Sequence, residues 1–216
     1  MMDLKGCIFD LDGVIVDTAK YHFMAWRRLA KELGFIFTLE DNEALKGVSR
    51  MASLEILLSK GNIHATIQEK EELAARKNGW YVEFISGMKP DEILPGSVKL
   101  LKTLRKEGIL TAIGSASKNA GTILDGINLR DMFDVIIDGN KISKAKPDPE
   151  VFLRGAQEMK LSPSKCIVFE DAQAGIEAAI AGGMKCVGVG SPELLGRADL
   201  VIPGLNKISL KQLRNL

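Results

Sequence analysis

Cysteine is scarce in this chain, neither charge sign is in excess, and long apolar runs are absent. The three cysteines are Cys7, Cys166 and Cys186, each in or beside a short apolar run and without zinc-type spacing. That odd set argues against a disulfide framework and reads as buried free thiols in a reducing compartment. Lys plus Arg total 29 against 28 Asp plus Glu, a net charge of +1. Nucleic acids and anionic membranes need a clustered positive field, so neither is an expected partner. A small anionic substrate needs only a few local cations and stays open. No stretch approaches the ~20 apolar residues that span a bilayer. Residues 1–12 lack the long apolar region of a signal peptide, so the cytoplasm is the expected compartment. Neither an internal repeat nor a low-complexity segment is present, and with no sign of an oligomer interface a monomer is expected.

What is present fits a soluble globular protein. Of 216 residues, 46% are hydrophobic and 26% charged, enough for one full core and a smaller second module. Lys5–Phe9 reads as a buried strand ending at Asp10. From about residue 16 to 89 the pattern is helical throughout. Phe23, Trp26, Leu29, Ala30 and Leu33 share one side of a helix over Thr18–Leu33, with Gly34 as its stop. Further helices are expected over 40–45, 50–60 and 65–85. After the Leu94-Pro95-Gly96 turn, strands and helices alternate. Strands are expected at 109–113, 135–137, 166–169, 185–189 and 201–202, and helices at 97–107, 119–125, 149–159 and 175–181. This alternation predicts an α/β fold with a doubly wound parallel sheet. The sheet domain spans residues 1–15 and 90–216, and an all-helical domain, residues 16–89, is inserted after its first strand.

Ligands of open parallel sheets bind outside the carboxyl ends of the strands. Four such ends carry polar residues: Asp10 and Asp12, Ser115, Lys146 after a long loop, and Glu170 with Asp171. Asp10-Leu11-Asp12-Gly13 sets two carboxylates close together, which is costly unless a proton or cation compensates. A hard divalent metal such as Mg²⁺ suits such oxygen ligands, and Gly13 permits the tight turn behind them. The alternative is an acidic turn that caps the next helix. A carboxylate can also serve as a phosphoryl nucleophile while a second one shuttles protons. Ser115, in Ser115-Ala116-Ser117-Lys118-Asn119, offers a hydroxyl and backbone N–H groups for phosphate, or a plain helix N-cap. Lys146 lies in a loop stiffened by Pro147 and Pro149; as a single lysine it could also be a solvated loop residue.

Together, Asp10-x-Asp12-Gly13, Ser115, Lys146-Pro147 and Glu170-Asp171 resemble the four signature motifs of the haloacid dehalogenase superfamily. The resemblance covers nearly the whole chain. It implies a Rossmann-like core with a helical cap, Mg²⁺, Asp10 as nucleophile and Asp12 as general acid/base. Asp10 would hold the metal through its side chain and Asp12 through its backbone carbonyl, with Glu170 and Asp171 completing the site. Residues Thr18–Trp26, Leu45–Arg50 and Ser115–Asn119 further resemble the β-phosphoglucomutases. That resemblance implies interconversion of β-D-glucose 1-phosphate and D-glucose 6-phosphate through glucose 1,6-bisphosphate. It assigns Arg50, with Ser117 and Asn119, to the distal phosphate. Lys46, Gly47 and Ala116 join Lys77, Ser115 and Lys146 among the substrate contacts. Thr18, His22 and Lys77 would steady Asp12. On residue type alone, His22 could be an ordinary half-buried histidine, Trp26 helix-packing core, and Lys77 solvent-facing charge. The alternative reaction is Mg²⁺-dependent hydrolysis of a small sugar phosphate, which needs neither Arg50 nor the Lys46–Gly47 pair.

Overall fold

The computed structural model describes residues 2–45 and 49–216. The chain divides into two compact units, one made of Met1–Asp17 with Lys89–Leu216, the other of Thr18–Met88.

The first unit is a parallel six-stranded sheet of β1 (Gly6–Phe9), β2 (Leu110–Gly114), β3 (Val135–Ile137), β4 (Cys166–Glu170), β5 (Lys185–Val189) and β6 (Leu200–Ile202). The strand order is β3-β2-β1-β4-β5-β6. Helices cover both faces of such a sheet, so its strands carry continuous apolar runs instead of alternating ones. Every residue of β1 and of β4 is buried. Ile8, Ala112, Val168 and Cys186 point to one face. There they pack with Val151, Phe152 and Ala156 of α7 (Glu150–Glu158) and with Ile176 and Ala179 of α8 (Gln173–Ala181). Phe9 and Phe169 are register partners and stack at 4.6 Å.

The second unit holds α1 (Ala19–Glu32), α2 (Leu39–Glu43), α3 (Arg50–Lys60) and α4 (Ile67–Ile85). Its helices α2, α3 and α4 start where short polar side chains accept from orphan N–H groups: Thr38 and Thr66 form capping boxes with Asp41 and Glu69, and Ser49 accepts from the amide of Ala52. Trp26 and Leu29 of α1 are buried with Trp80 and Tyr81 of α4, and these two helices pack together. Arg28 lies over the Trp80 ring at 4.2 Å, which shields the indole edge with an aliphatic stem and a cation.

The remaining helices of the first unit are α5 (Ser97–Lys106), α6 (Ala120–Gly126), α9 (Pro192–Leu195) and α10 (Leu210–Arg214). The doubly wound architecture is as the alternation predicts, and the shifts are local. The helix expected from Asn119 begins at Ala120, with Asn119 as its N-cap. The one expected at 40–45 covers Leu39–Glu43, because the Thr38 capping box fixes its first turn. The short α9 and α10 lie outside the sequence expectation; each is too brief to show a helical period. Among the described residues no helix is long and apolar enough to cross a membrane.

Candidate active site

The order of the sheet reverses between β1 and β4: β2 and β3 lie to one side of β1, β4 to β6 to the other. At such a switch point the flanking loops diverge and leave a crevice beyond the carboxyl strand ends. The parallel register sets Phe9 beside both Ile113 and Phe169. The residues that follow, Asp10, then Gly114 with Ser115, and Glu170 with Asp171, therefore emerge side by side. Adjacency of three strands brings together residues about 55 to 160 positions apart in the chain.

Asp10, Glu170 and Ser115 are buried, with exposures of 7%, 2% and 1%. Carboxylate oxygens of Asp10, Glu170 and Asp171 lie within 4.8 Å of one another. Lys146 reaches this cluster from the loop after β3. Its Nζ donates to Asp10 Oδ1 at 2.5 Å and to Glu170 Oε2 at 2.8 Å. Burial alone would favour the neutral amine, but the charges and hydrogen bonds of Asp10 and Glu170 hold Lys146 above its ordinary value. It is no solvated loop lysine.

One lysine does not balance the cluster. Burial, opposed by Lys146 and reinforced by Asp10, holds the Glu170 carboxyl above its usual range. Burial and then the charges of Asp10, Glu170 and Asp12 do the same to Asp171. Both groups lose less when another cation is present. Three hard oxygen donors this close, short of positive charge, fit a divalent cation. Two glycines make the crowding possible. Gly13 has φ +81°, and a Cβ there would collide with the Asp171 carboxylate; a Cβ on Gly175 would collide with that of Glu170.

Asp12 is half-buried in the turn after β1, where it forms an isolated bridge with Val16. Ser115 is not a helix N-cap. Its amide donates to the Ile137 carbonyl at 3.0 Å, its Oγ accepts from the amide of Ser117, and α6 starts five residues later. Ser117 Oγ in turn accepts from the amide of Asn119 at 3.2 Å. Nested turns of this kind shape the Ser115–Asn119 segment, with Ala116 exposed and Ser117 and Asn119 half-buried.

In the helical unit, Thr18 is fully buried at the start of α1, and its carbonyl accepts from the amides of Tyr21 and His22. Lys77 is no surface charge: it is 2% exposed, with Nζ 2.9 Å from His22 Nδ1. The ammonium has only donors, so Nδ1 accepts and the His22 ring proton sits on Nε2. Lys77 also lies over the Trp26 ring at 4.3 Å, and Tyr81 stacks on His22 at 4.1 Å. Burial, then the charges of Lys77 and Arg50, hold His22 far below its ordinary value, so it is neutral. Arg50 is half-buried in the first turn of α3, a turn without an acidic residue. A guanidinium next to a helix N-terminus concentrates positive potential and suits an anion. Lys46 and Gly47 lie outside the described residues.

The fold and this carboxylate–lysine cluster define a class of protein. Residues 4–183 match the model of the haloacid dehalogenase-like hydrolases, and the chain belongs to that family. Among its relatives is a β-phosphoglucomutase of Bacillus subtilis, 43% identical over 212 residues, covering 97% of this chain and 94% of that one. The crystal structure of a β-phosphoglucomutase from Clostridium difficile superposes with a TM-score of 0.92 at 42% identity, covering 98% of this chain and 96% of that one. A fructose-1-phosphate phosphatase of Escherichia coli is 34% identical, covering 85% of this chain and 95% of that one.

Proposed function

We propose that this protein is a phosphoryl-transfer isomerase that interconverts β-D-glucose 1-phosphate and D-glucose 6-phosphate. It would act as a cytoplasmic monomer, with residues 1–15 and 90–216 as catalytic core and residues 16–89 as cap. The observation that carries the reading is the near-full-length likeness to two β-phosphoglucomutases, in a chain whose sheet assembles Asp10, Lys146, Glu170 and Asp171.

Asp10 is the proposed nucleophile. Its carboxylate attacks phosphorus of a bound sugar phosphate, the bond to the sugar oxygen breaks, and Asp10 becomes an aspartyl phosphate. Asp12 gives its proton to the departing sugar oxygen and takes one from the incoming hydroxyl in the return step. Lys146 and Ser115 offer donors to the phosphoryl oxygens, where negative charge accumulates. Mg²⁺ would be held by Asp10, Glu170 and Asp171 and by the Asp12 carbonyl, and when bound it neutralises phosphoryl charge. Arg50, with Ser117 and Asn119, is the proposed holder of the second phosphate of glucose 1,6-bisphosphate, since a guanidinium fork matches phosphate oxygens in pairs. Lys46, Gly47 and Ala116 complete the proposed sugar-phosphate contacts, and Thr18, His22 and Lys77 steady Asp12.

A second reading is hydrolysis, favoured by the fructose-1-phosphate phosphatase among the relatives. It uses the same Asp10 chemistry with water as acceptor. The test supplies β-D-glucose 1-phosphate, Mg²⁺ and a trace of glucose 1,6-bisphosphate and follows glucose 6-phosphate and inorganic phosphate together. Abundant glucose 6-phosphate with little free phosphate supports the mutase. Free phosphate as the main product assigns the chain to the phosphatases.

A further inference from the structure

Lys146 sits at the crown of a loop whose two ends are tied to one residue, Glu150. Glu150 Oε2 accepts from the amide of Ser143 at 2.9 Å, from Ser143 Oγ at 2.8 Å and from the amide of Lys144 at 2.8 Å. On the other side, the amide of Glu150 donates to Asp148 Oδ1 at 3.0 Å. The amide of Asp148 reaches back to the Ala145 carbonyl at 3.1 Å, which closes the loop under Lys146. Arg154, one turn along α7, holds Glu150 Oε1 at 2.8 Å and so fixes the rotamer that presents Oε2 to the loop. As the first residue of α7, Glu150 also meets the positive end of the helix dipole.

The same helix supports the Lys146 side chain from below. The ammonium lies 4.7 Å from the centre of the Phe152 ring, and Phe152 is fully buried. The ring fits there because Gly114, at the end of β2, has no side chain: a Cβ at Gly114 would come within 2.8 Å of Phe152 Cδ1. An ammonium over an aromatic face gains electrostatic attraction without competing for the hydrogen bonds it makes elsewhere.

We propose that Glu150 and Phe152 are positioning residues for Lys146: the Glu150 carboxylate ties down the loop and the Phe152 ring aims the ammonium at Asp10 and Glu170. Neither touches the reacting atoms. The proposal deepens the phosphoryl-transfer reading and rests on it for the role of Lys146, but the aim of Lys146 is measurable without turnover. Removing the lashing lets the loop move and uncovers an amine whose side chain is 8% exposed.

The test is competitive labelling of lysines with trace acetic anhydride, read by mass spectrometry, in the wild-type protein and in Glu150→Gln, Glu150→Ala and Phe152→Leu. Lys146 is expected to label about tenfold faster in the Glu150 variants, with remote Lys211 unchanged. Phe152→Leu keeps an apolar filler and, where it folds and Glu150→Ala does not, carries the same expectation. An unchanged Lys146 rate overturns the proposal, whatever the enzyme's substrate. A double-mutant cycle of Glu150→Ala with Lys146→Ala, scored on kcat and KM separately, is the second readout. Residues that act through one another are non-additive. Glu150→Ala is expected to lower kcat about tenfold in the wild-type background and to change it little once Lys146 is gone. An equal loss in both backgrounds marks a merely structural role and overturns the proposal.

Discussion

Lys77 Nζ and His22 Nδ1 lie 2.9 Å apart in the helical unit, a buried ammonium and a half-buried imidazole from two helices packed together. The pair is stable only while the imidazole is neutral, since a protonated His22 has no lone pair to accept with and repels Lys77.

The pH dependence follows from that pair. His22 is held well below its ordinary value of 6.5. Below pH 6.5 the unfolded chain takes up a proton that the folded chain refuses, so stability drops as the pH is lowered. The slope approaches about 1.4 kcal/mol per pH unit until folded His22 itself titrates. Above pH 6.5 His22 adds no slope. Thermal unfolding between pH 7.5 and 5 checks this, and His22→Gln, which still accepts from Lys77, is expected to flatten the curve. An identical acid slope in wild type and variant refutes the assignment.

Lys146→Met removes the cation between two buried carboxylates. Leaving them uncompensated is expected to cost about 3 kcal/mol. The cluster then demands a cation more strongly, so added Mg²⁺ is expected to raise the melting temperature further in the variant than in the wild-type protein. Calorimetric scans with and without MgCl₂ measure both effects. Equal Mg²⁺ shifts in the two proteins speak against metal binding by Asp10, Glu170 and Asp171.

Gly175→Ala places a methyl group against the Glu170 carboxylate. That carboxylate is held by Lys146 and by the amide of Ala172 and has little room to yield. The variant is expected to lose about 2 kcal/mol of stability and most of its activity. Gly183→Ala is a comparison of opposite character. Its φ of +70° carries backbone strain, but no atom waits in the added methyl's space, so activity is expected to survive.

Asp10→Asn is expected to lower turnover by more than ~10³-fold in the mutase and phosphatase assays alike, because both need the same nucleophile. Arg50→Ala is expected to lower glucose 6-phosphate formation by about 30-fold or more. Arg50→Ala with wild-type mutase kinetics removes Arg50 from the proposed phosphate site.

Much of the fold is legible locally. The apolar run at Gly6–Phe9 and the turn at Leu94-Pro95-Gly96 act through near neighbours, so spacing along the chain reveals them. The polar strand ends are visible for the same reason. In the sequence Lys77 is ambiguous because helical spacing does not tell which face of α4 the neighbouring helix covers; packing on α1 makes it a buried partner of His22. Glu150 and Phe152 carry no motif. The one available signal is an acid in the first turn of the helix after a proline-stiffened loop, and that pattern is common on ordinary helices.

Local pattern along the chain is enough to set the alternation of strands and helices, the insertion of a helical segment after β1, and the residue types offered at the strand ends. The tertiary structure alone decided which ends meet. Strand order and parallel register put Asp10 between Ser115 and Glu170, and Lys146 reaches Asp10 across 136 residues. The physical reason is range. Backbone geometry and capping act over a few residues, whereas strand pairing and the balance of buried charge join segments whose separation along the chain carries no information about their distance in space.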